Sequence, residues 1–430
     1  MRKVSLAGLA RGRVYYGWIV LAGSVLATAL GAGVSIWSFG LYVDPLEEEF
    51  NWSRAEVTAG FSISLAMAGF AGPLVGRWID IRGPRVVILT GAVLTAVTYA
   101  LLALTSSLWQ WYLFLSINAV FRQMMFFIPF MALISRWFAQ KRGVALGFLG
   151  AGFSMGAFVA VAVEAVMSKW GWEASFIFST IVTLGAFVPL SLFVLRNNPE
   201  DVGEFVDGEP QTEEDRKSPL LLRGLTSREA VRTPLFWFIA GAMTLFLFGV
   251  FGWIVHQVPF YESVGVSRST AAQIVAITAG GGILSRLGFG FIIQRFNRVE
   301  IAAMWLLAFL ITGMAVLSID TSAVGISIFV IVWVIGSGGG PLLEPLLLTK
   351  AFGLSHFATI LGLLGVIETV GIVGSPLLAG VIFDATDSYD LVLVMLGSGF
   401  VGALVLFYMS SRLSHPMEER DAAAKSAIQP

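Results

Sequence analysis

The sequence predicts an all-α membrane protein in which twelve transmembrane helices form two parallel six-helix repeats around a central cavity. Hydrophobic residues make up 57% of the 430 residues and charged residues only 13%, against about 25% charged residues in soluble domains. The mean hydropathy is +0.82. A soluble chain of this composition would expose too much apolar surface, so we expect lipid to be its solvent.

Twelve apolar stretches divide the chain, and each is long enough for a transmembrane helix of about 20 residues. A backbone that meets lipid must satisfy its own hydrogen bonds, which favours helices. Short alternating segments would indicate a β-barrel, and the continuous runs exclude one. The predicted spans are roughly 16–42, 55–78, 85–104, 110–134, 143–166, 173–195, 234–257, 269–293, 299–317, 322–349, 356–380 and 389–411.

The distribution of basic residues predicts the orientation. An even number of spans leaves both termini on one side of the membrane, and the lysines and arginines concentrate on that side. The positive-inside rule therefore places both termini in the cytoplasm. We expect a multi-pass protein of the plasma membrane, in particular of a bacterial inner membrane. Three basic residues, Arg54, Lys169 and Arg268, lie on the opposite side of the membrane in this orientation. Two more, Arg122 and Arg286, lie within predicted spans.

One long polar stretch, residues 196–233, lies between the sixth and seventh spans. It is too rich in charge, proline and glycine to cross a membrane, and we interpret it as a cytoplasmic linker. The predicted organisation is an N-terminal six-helix bundle over residues 1–195, this linker, a C-terminal six-helix bundle over residues 234–411, and a polar cytoplasmic tail over residues 412–430.

The two halves of the chain repeat each other. Ser53 before the second span recurs as Ser267, and Gly76 after that span recurs as Gly290, both 214 residues later. Parallel repeats of this kind surround a site near the middle of the membrane. Three glycines of the fifth span recur in the eleventh span at an offset of 215, namely Gly147, Gly150 and Gly156.

The loop after the second span holds a family motif. The segment GRWIDIRGPR (residues 76–85) resembles the loop motif of the major facilitator superfamily, which it matches at Gly76, Asp80 and Arg85. At two positions where the family motif has a basic residue, this sequence has Ile and Pro. The resemblance implies that these three residues belong to an inner gate. Asp80 can accept hydrogen bonds from a helix N-terminus. A basic loop that only sets the topology is the simpler alternative.

A second set of patterns narrows the resemblance. WFAQKRGVALGFLGAG (residues 137–152), YYGWIV (residues 15–20) and FGLYVDPLEEEFNWSRAEV (residues 39–57) are similar to signatures of the monocarboxylate porters and the related oxalate/formate antiporters. The resemblance implies a secondary transporter. The sequence contains neither a phosphate-binding loop nor a His/Cys cluster, so we expect no enzyme activity, no metal and no cofactor.

Five charged residues lie inside predicted spans, where each costs roughly 2.5–3.5 kcal/mol and is therefore a functional candidate. Their equivalents in the other half of the chain are uncharged, so these charges are not part of the duplicated scaffold. We expect them to serve a single asymmetric substrate, except for Glu164 near the end of the fifth span, which we interpret as interfacial. The other four are Arg122, Arg286, Glu344 and Glu368.

Arg286 lies in SRLGFG, four residues before Gly290, and this pattern is similar to helix 8 of the monocarboxylate porters. The resemblance implies that Arg286 receives the substrate carboxylate, which a guanidinium can bind through two parallel hydrogen bonds. A snorkelling arginine or a structural pair with Glu344 is the alternative. The sequence departs from animal members of the family at Gly282, where they have Asp, and it lacks their lysine in the first span.

Because this sequence lacks that Asp and that lysine, another residue must bind the proton if transport is coupled to protons. Glu368 lies near the middle of the eleventh span, where burial would suit it to bind and release a proton, and we predict that it is the proton-coupling residue. A permanent salt bridge with Arg122 is the competing interpretation, and both stay open.

Asn118 and Arg122 are one helical turn apart in the fourth span and share a face. We predict that both line the cavity and contact the substrate. For Asn118, an interhelical hydrogen bond is the alternative.

The sequence therefore predicts alternating-access transport of a small organic anion, a monocarboxylate, by proton symport. Arg122, Arg286 and Glu368 together leave one positive charge, which suits one carboxylate. The expected partners are this carboxylate, the proton and the lipid bilayer, whereas a net charge of −1 argues against nucleic acid. Two rivals remain, an oxalate/formate-type antiporter and, in another class, a membrane receptor or sensor built on a transporter scaffold.

Overall fold

The computed structural model describes residues 14–209, 224–296 and 298–417. In these ranges, twelve helices are long and apolar enough to cross a membrane, as predicted. We label them α1 to α12: Tyr16–Phe50, Arg54–Arg82, Pro84–Leu102, Leu108–Trp137, Arg142–Trp170, Trp172–Val194, Pro234–Ser263, Arg268–Ile292, Val299–Ile319, Ala323–Phe352, Phe357–Thr386 and Asp390–Ser411.

The first span is longer and less regular than its apolar stretch predicts. An α-helix over Tyr16–Ala32 is followed by a π-helical turn over Gly33–Trp37, a 3₁₀ turn over Phe39–Tyr42 and an acidic helix over Val43–Phe50. Single π-helical turns are frequent at functional sites, because the wider turn redirects the side chains that follow. The π-helical turn of α1 lies beside the cavity described below.

Two spans that the sequence predicts as continuous helices are interrupted. In α4, the helix ends at Met125 and restarts at Phe127, with Phe126 at φ −116° and ψ −85°. In α10, the helix ends at Gly338 and restarts at Gly340. The glycine-rich segment 336–341 contains this second break.

The described chain groups into two compact units. The first contains the residues up to Arg223 together with Leu354–Leu363, and the second contains Gly224–Gly353 together with the residues from Leu364 onward. The start of α11 therefore groups with the first unit and the remainder of that helix with the second.

Equivalent residues of the predicted repeat have equivalent roles. Ser53 Oγ accepts a hydrogen bond from the Glu56 amide at the start of α2, and the Ser267 hydroxyl caps α8 in the same way. Gly156 lets α5 approach α1, since an added Cβ would lie 2.9 Å from Ala32 Cβ. Its counterpart Gly371 lets α11 approach α7, where the added Cβ would lie 2.5 Å from the Thr244 carbonyl oxygen.

The first part of the predicted linker is folded onto the first unit. Two 3₁₀ turns, Pro199–Val202 and Val206–Gly208, lead to Asp207, which is buried. The Asp207 carboxylate accepts hydrogen bonds from the amides of Ala139 and Gln140 at 3.0 and 2.7 Å, just before α5 begins. Residues 210–223 of the linker and 418–430 of the tail lie outside the described residues.

The described part of the tail contacts the second unit. His415 Nε2 lies 2.8 Å from the Glu300 carboxylate, and both side chains are buried. Arg298 donates a hydrogen bond to the Ser411 carbonyl at 2.6 Å. These bonds hold the end of α12 against the start of α9.

Candidate functional site

Arg122 and Asn118 face one small cavity in the first unit. The space open to the centre of a water molecule is about 20 Å³, which is enough for about one water. Its walls come from α1, α2, α3, α4 and α6. The lining residues are Val34, Ser35, Phe39, Tyr42, Phe61, Ser64, Tyr99, Leu102, Trp111, Leu115, Asn118, Arg122 and Phe176.

Asn118 makes an interhelical hydrogen bond, which is the alternative role considered for it in the sequence analysis. Its Nδ2 donates to Thr98 Oγ1 at 2.9 Å, and Thr98 Oγ1 donates in turn to the Thr95 carbonyl at 2.8 Å. This chain of donors fixes the orientation of the Asn118 amide and ties α4 to α3. The side chain is only 3% exposed, yet it also lines the cavity. A held amide of this kind can orient a ligand as well as join two helices.

Arg122 is a buried cation without a counter-ion in its surroundings. Its side chain is 9% exposed and faces the cavity, and no ion pair or hydrogen bond of its guanidinium occurs among the described residues. The nearby Tyr99 hydroxyl donates to the Val34 carbonyl at 3.3 Å. Buried charges in proteins are ordinarily paired. The cavity around Arg122 is therefore chemically suited to an anion.

Aromatic rings form most of the remaining cavity wall. Phe39 stacks on Phe61, and Tyr42 stacks on Phe176, each with 4.3 Å between ring centroids. Trp111 fixes its ring by donating a hydrogen bond to the Val57 carbonyl at 3.1 Å. Sequence reasoning missed these rings, because no single pattern links residues that come from five different helices.

Glu368 lies in the second unit, and its neighbour is another carboxyl group. The side chains of Glu344 in α10 and Glu368 in α11 are hydrogen-bonded to each other. They are 7% and 5% exposed. The sequence singles out Glu344 as a charge within a span and as a possible partner of Arg286, but no local pattern predicts that two acids on different helices lie together.

Arg286 is half-buried in α8 of the second unit. A Cβ added at Gly282 would lie 3.0 Å from an Arg286 guanidinium nitrogen, so position 282 directly adjoins this side chain. An Asp at position 282 would therefore reach Arg286, and the glycine of this sequence removes that acid.

Two of the predicted gate residues meet the start of α11 within the first unit. Asp80 accepts hydrogen bonds from the amides of Ala358 and Thr359 at 3.1 and 2.9 Å and from the Thr359 hydroxyl at 2.6 Å. It therefore caps a helix N-terminus, the contact that its chemistry predicts. Gly76 lies against the backbone of Ala358, where any Cβ would clash.

Arg85, the third predicted gate residue, binds a different element of the first unit. Its guanidinium donates to the carbonyls of Ser191 and Leu192 at 2.6 and 2.9 Å. These carbonyls lie in the π-helical end of α6, Leu190–Val194. Arg85 thus fixes the end of α6 next to the loop, whereas Asp80 and Gly76 hold α11.

Comparisons with known proteins agree with this architecture. A family model described as Major Facilitator Superfamily matches residues 24–349. Monocarboxylate transporter 13 of Rattus norvegicus is 26% identical over 394 residues, which cover 89% of this chain and 86% of that protein. The oxalate:formate antiporter of Oxalobacter formigenes is 25% identical over 287 residues, which cover 66% of this chain and 65% of the antiporter.

A solved structure shares the fold. The proton:xylose symporter XylE superimposes with a TM-score of 0.73 at 14% sequence identity, over 92% of this chain and 95% of that chain. The proteins that this chain resembles in sequence and in structure are transporters, not enzymes.

Proposed function

The chain belongs to the major facilitator superfamily and is a multi-pass membrane protein, and from this premise we propose that it transports a small monocarboxylate by alternating access, coupled to protons. The observation that supports this proposal most strongly is the buried guanidinium of Arg122, which faces a cavity and has no ion pair among the described residues. A carboxylate in the cavity would neutralise this charge through bidentate hydrogen bonds.

The composition of the cavity favours one carboxylate group over two. Arg122 is the one charged residue among its thirteen lining residues, and nine of the others are apolar or aromatic. A dicarboxylate would place its second charge against the aromatic wall, where an unpaired charge is unfavourable by several kcal/mol. A monocarboxylate with an apolar body matches the chemistry of the wall, and the rings must move apart to admit it, because the space present is about that of one water.

The other candidate residues have distinct roles in this proposal. Asn118, held by Thr98, orients the substrate next to Arg122. Arg286, in the second unit, is a further candidate for binding a carboxylate, and Glu368 binds the transported proton. Asp80 and Gly76 act as an inner gate by holding the start of α11, and Arg85 supports this gate through α6.

The membrane orientation follows from charge. We propose that the protein lies in the plasma membrane, in a bacterium the inner membrane, with both termini in the cytoplasm, since the basic loops then face inward.

Reconstitution in lipid vesicles tests the function. Purified protein is incorporated into vesicles loaded with unlabelled acetate, lactate, benzoate, oxalate or succinate, and entry of the same labelled acid is measured without a pH gradient. We expect exchange of monocarboxylates and little exchange of oxalate or succinate. Arg122→Met should abolish exchange, whereas Arg54→Met should not, because Arg54 is exposed and pairs with Asp44 at 3.2 Å.

The same vesicles discriminate the rivals. An inward-directed proton gradient should drive net accumulation of the monocarboxylate if protons are co-transported. Exchange that never yields net accumulation, with oxalate among its substrates, would instead support an oxalate/formate-type antiporter. Carboxylate binding without any flux would support a receptor.

A further inference from the structure

Glu344 and Glu368 form a contact that the proposed transport function does not itself require. Their carboxyl groups are hydrogen-bonded to each other, and both side chains are buried. An ionised carboxylate can only accept hydrogen bonds, so a bond between two carboxyl groups needs a hydrogen on one of them. A contact of this kind is favourable only when at least one of the two carboxyl groups is protonated.

Loss of that proton would place two negative charges in contact. At 4 Å, two like charges repel by about 4 kcal/mol at an effective dielectric constant of 20, and burial adds a further penalty. Two carboxyl groups that share a site therefore take up and release protons as a pair and not as independent residues. Glu344 is thus part of the site to the same extent as Glu368.

The pair is not embedded in a wider polar network. One oxygen of each group, Oε1 in both residues, is buried and has no hydrogen-bond partner among the described residues. Buried polar groups with a purely structural role ordinarily have a hydrogen-bond partner. The pair can accept a second proton, since each carboxyl group still has an unused oxygen.

Other charged groups lie on the helices around the pair. The carboxyl groups of Glu344 and Glu368 face each other. Arg286 lies on α8, the helix whose Ser285 contacts α10 at Gly338. The remaining charged or titratable side chains of α7 to α11 lie toward the helix ends: His256, Tyr261, Glu262, Arg268, Glu300, Lys350 and Asp384.

The break in α10 lies five residues before Glu344. Three consecutive glycines form it, and each is tightly packed: a Cβ at Gly340 would lie 2.8 Å from the Phe246 ring, and one at Gly339 would lie 2.8 Å from the Phe289 ring. Gly339 keeps helical backbone angles, and its carbonyl accepts hydrogen bonds from the amides of Leu342 and Leu343 at 3.0 and 3.2 Å. The close packing around Gly339 and Gly340 therefore determines where Glu344 meets Glu368.

We propose that Glu344 and Glu368 form a single two-carboxyl proton site, whose proton is shared when the two side chains are in contact and is released when they separate. This site deepens the proposed function, because it identifies the proton-binding group as a pair on two helices. Conformation and proton occupancy are then linked, since the two arrangements differ in proton affinity.

Infrared spectroscopy tests the shared proton without transport. Purified protein is titrated from acidic to alkaline pH, and the carbonyl band of protonated carboxyl groups is followed. In the wild type we expect a band that persists above neutral pH. The double variant Glu344→Gln/Glu368→Gln should lose it, and Glu164→Gln, which changes an exposed carboxyl group in α5, should retain it. An unchanged band in the double variant would overturn the proposal.

Two amide side chains can hydrogen-bond to each other, so the double variant retains a bond at this position. If it nevertheless fails to fold, Glu344→Asp serves instead, because the shorter acid keeps the charge but weakens the contact. The pH at which the band disappears should then fall relative to the wild type. A wild-type titration curve in the shorter variant would refute a shared proton.

Vesicles that contain a pH-sensitive dye test the use of the proton. We expect Glu344→Gln and Glu368→Gln each to exchange benzoate at a rate similar to the wild type but to lose proton entry during net benzoate uptake. Normal proton entry in Glu344→Gln would exclude Glu344 from the site. If the wild type carries none of the tested carboxylates, the proposed function fails, while the infrared result on the pair stands independently.

Discussion

Replacement of Arg122 by methionine separates a substrate-binding arginine from a structural one, because the two roles predict opposite changes in stability. The guanidinium lines the cavity next to Asn118 and has no ion pair among the residues that the structure describes. Methionine has a similar length and no charge. It should retain contact with the aromatic wall while removing the buried cation.

The magnitude follows from the burial of the charge. An arginine in the middle of a membrane helix costs about 2.5–3.5 kcal/mol on the insertion scale. Lost contacts of the guanidinium offset part of this gain, so we expect Arg122→Met to unfold at an equal or higher temperature than the wild type. Carboxylate affinity should fall roughly 10–100-fold, since a charge-assisted hydrogen bond contributes about 1.5–3 kcal/mol.

Thermal unfolding of the purified protein in detergent measures both quantities. A ligand that binds only the folded state raises the unfolding temperature with its concentration. The wild type should show this rise with benzoate, and Arg122→Met should need roughly 10–100-fold more benzoate for the same rise. Arg122→Lys keeps the charge but loses the planar fork, so it should bind benzoate with intermediate affinity. Arg54→Met serves as the exposed control and should behave like the wild type.

The reasoning would be refuted by one combination of results. If Arg122→Met unfolds at a clearly lower temperature than the wild type and still binds benzoate normally, the arginine stabilises the fold and has no role in recognition. A stable variant without benzoate binding is the result that a substrate-binding role requires.

Three further predictions concern recognition, packing and topology. Arg286→Lys should keep near-normal thermal stability but lose roughly 10–100-fold in carboxylate affinity, and a lower unfolding temperature with unchanged affinity would make this residue structural. Gly76→Ala should destabilise the protein by about 1–3 kcal/mol in thermal or chemical unfolding, because its Cβ overlaps the backbone of α11; wild-type stability would show that α11 does not need this close approach. The chain has no cysteine, so single cysteines at Glu48 and Ser388 should react with an impermeant thiol reagent outside intact cells, and one at Glu209 should not. Reaction at Glu209 would contradict the cytoplasmic position of the linker.

The helices were predictable because their signal is local. Each span is a continuous apolar run, and the cap at Ser53 needs only the glutamate three residues later. The interruption at Phe126 also has a local signal, Pro129, which the prediction of one continuous span did not take into account. A proline within a helix offers no amide hydrogen to the carbonyl four residues earlier, here that of Met125, and its ring clashes with that carbonyl. The helix therefore ends at Met125 and restarts at Phe127.

The residues of the candidate site were predictable from the sequence, but the residues that each of them contacts were not. Burial cost alone singled out Arg122 and Glu368 as charges within spans. Their partners depend on contacts between helices: Glu368 meets Glu344, and the cavity next to Arg122 is closed by rings from other spans. Arg85 shows the same limit, since the carbonyls that it binds are available only because α6 ends in a π-helical turn.

The interruptions of α4 and α10 occupy nearly equivalent places in the two halves of the chain. Phe126 and Gly339 lie 213 residues apart, within two residues of the offsets that relate the halves, and a proline follows each break within three residues. Arg122 and Glu344 lie close to these breaks, and the residues at the equivalent positions of the other half are uncharged. The broken backbone is therefore common to both halves, whereas the charge beside it is particular to each. The chemistry at one break can change without a change in the backbone that the two halves share.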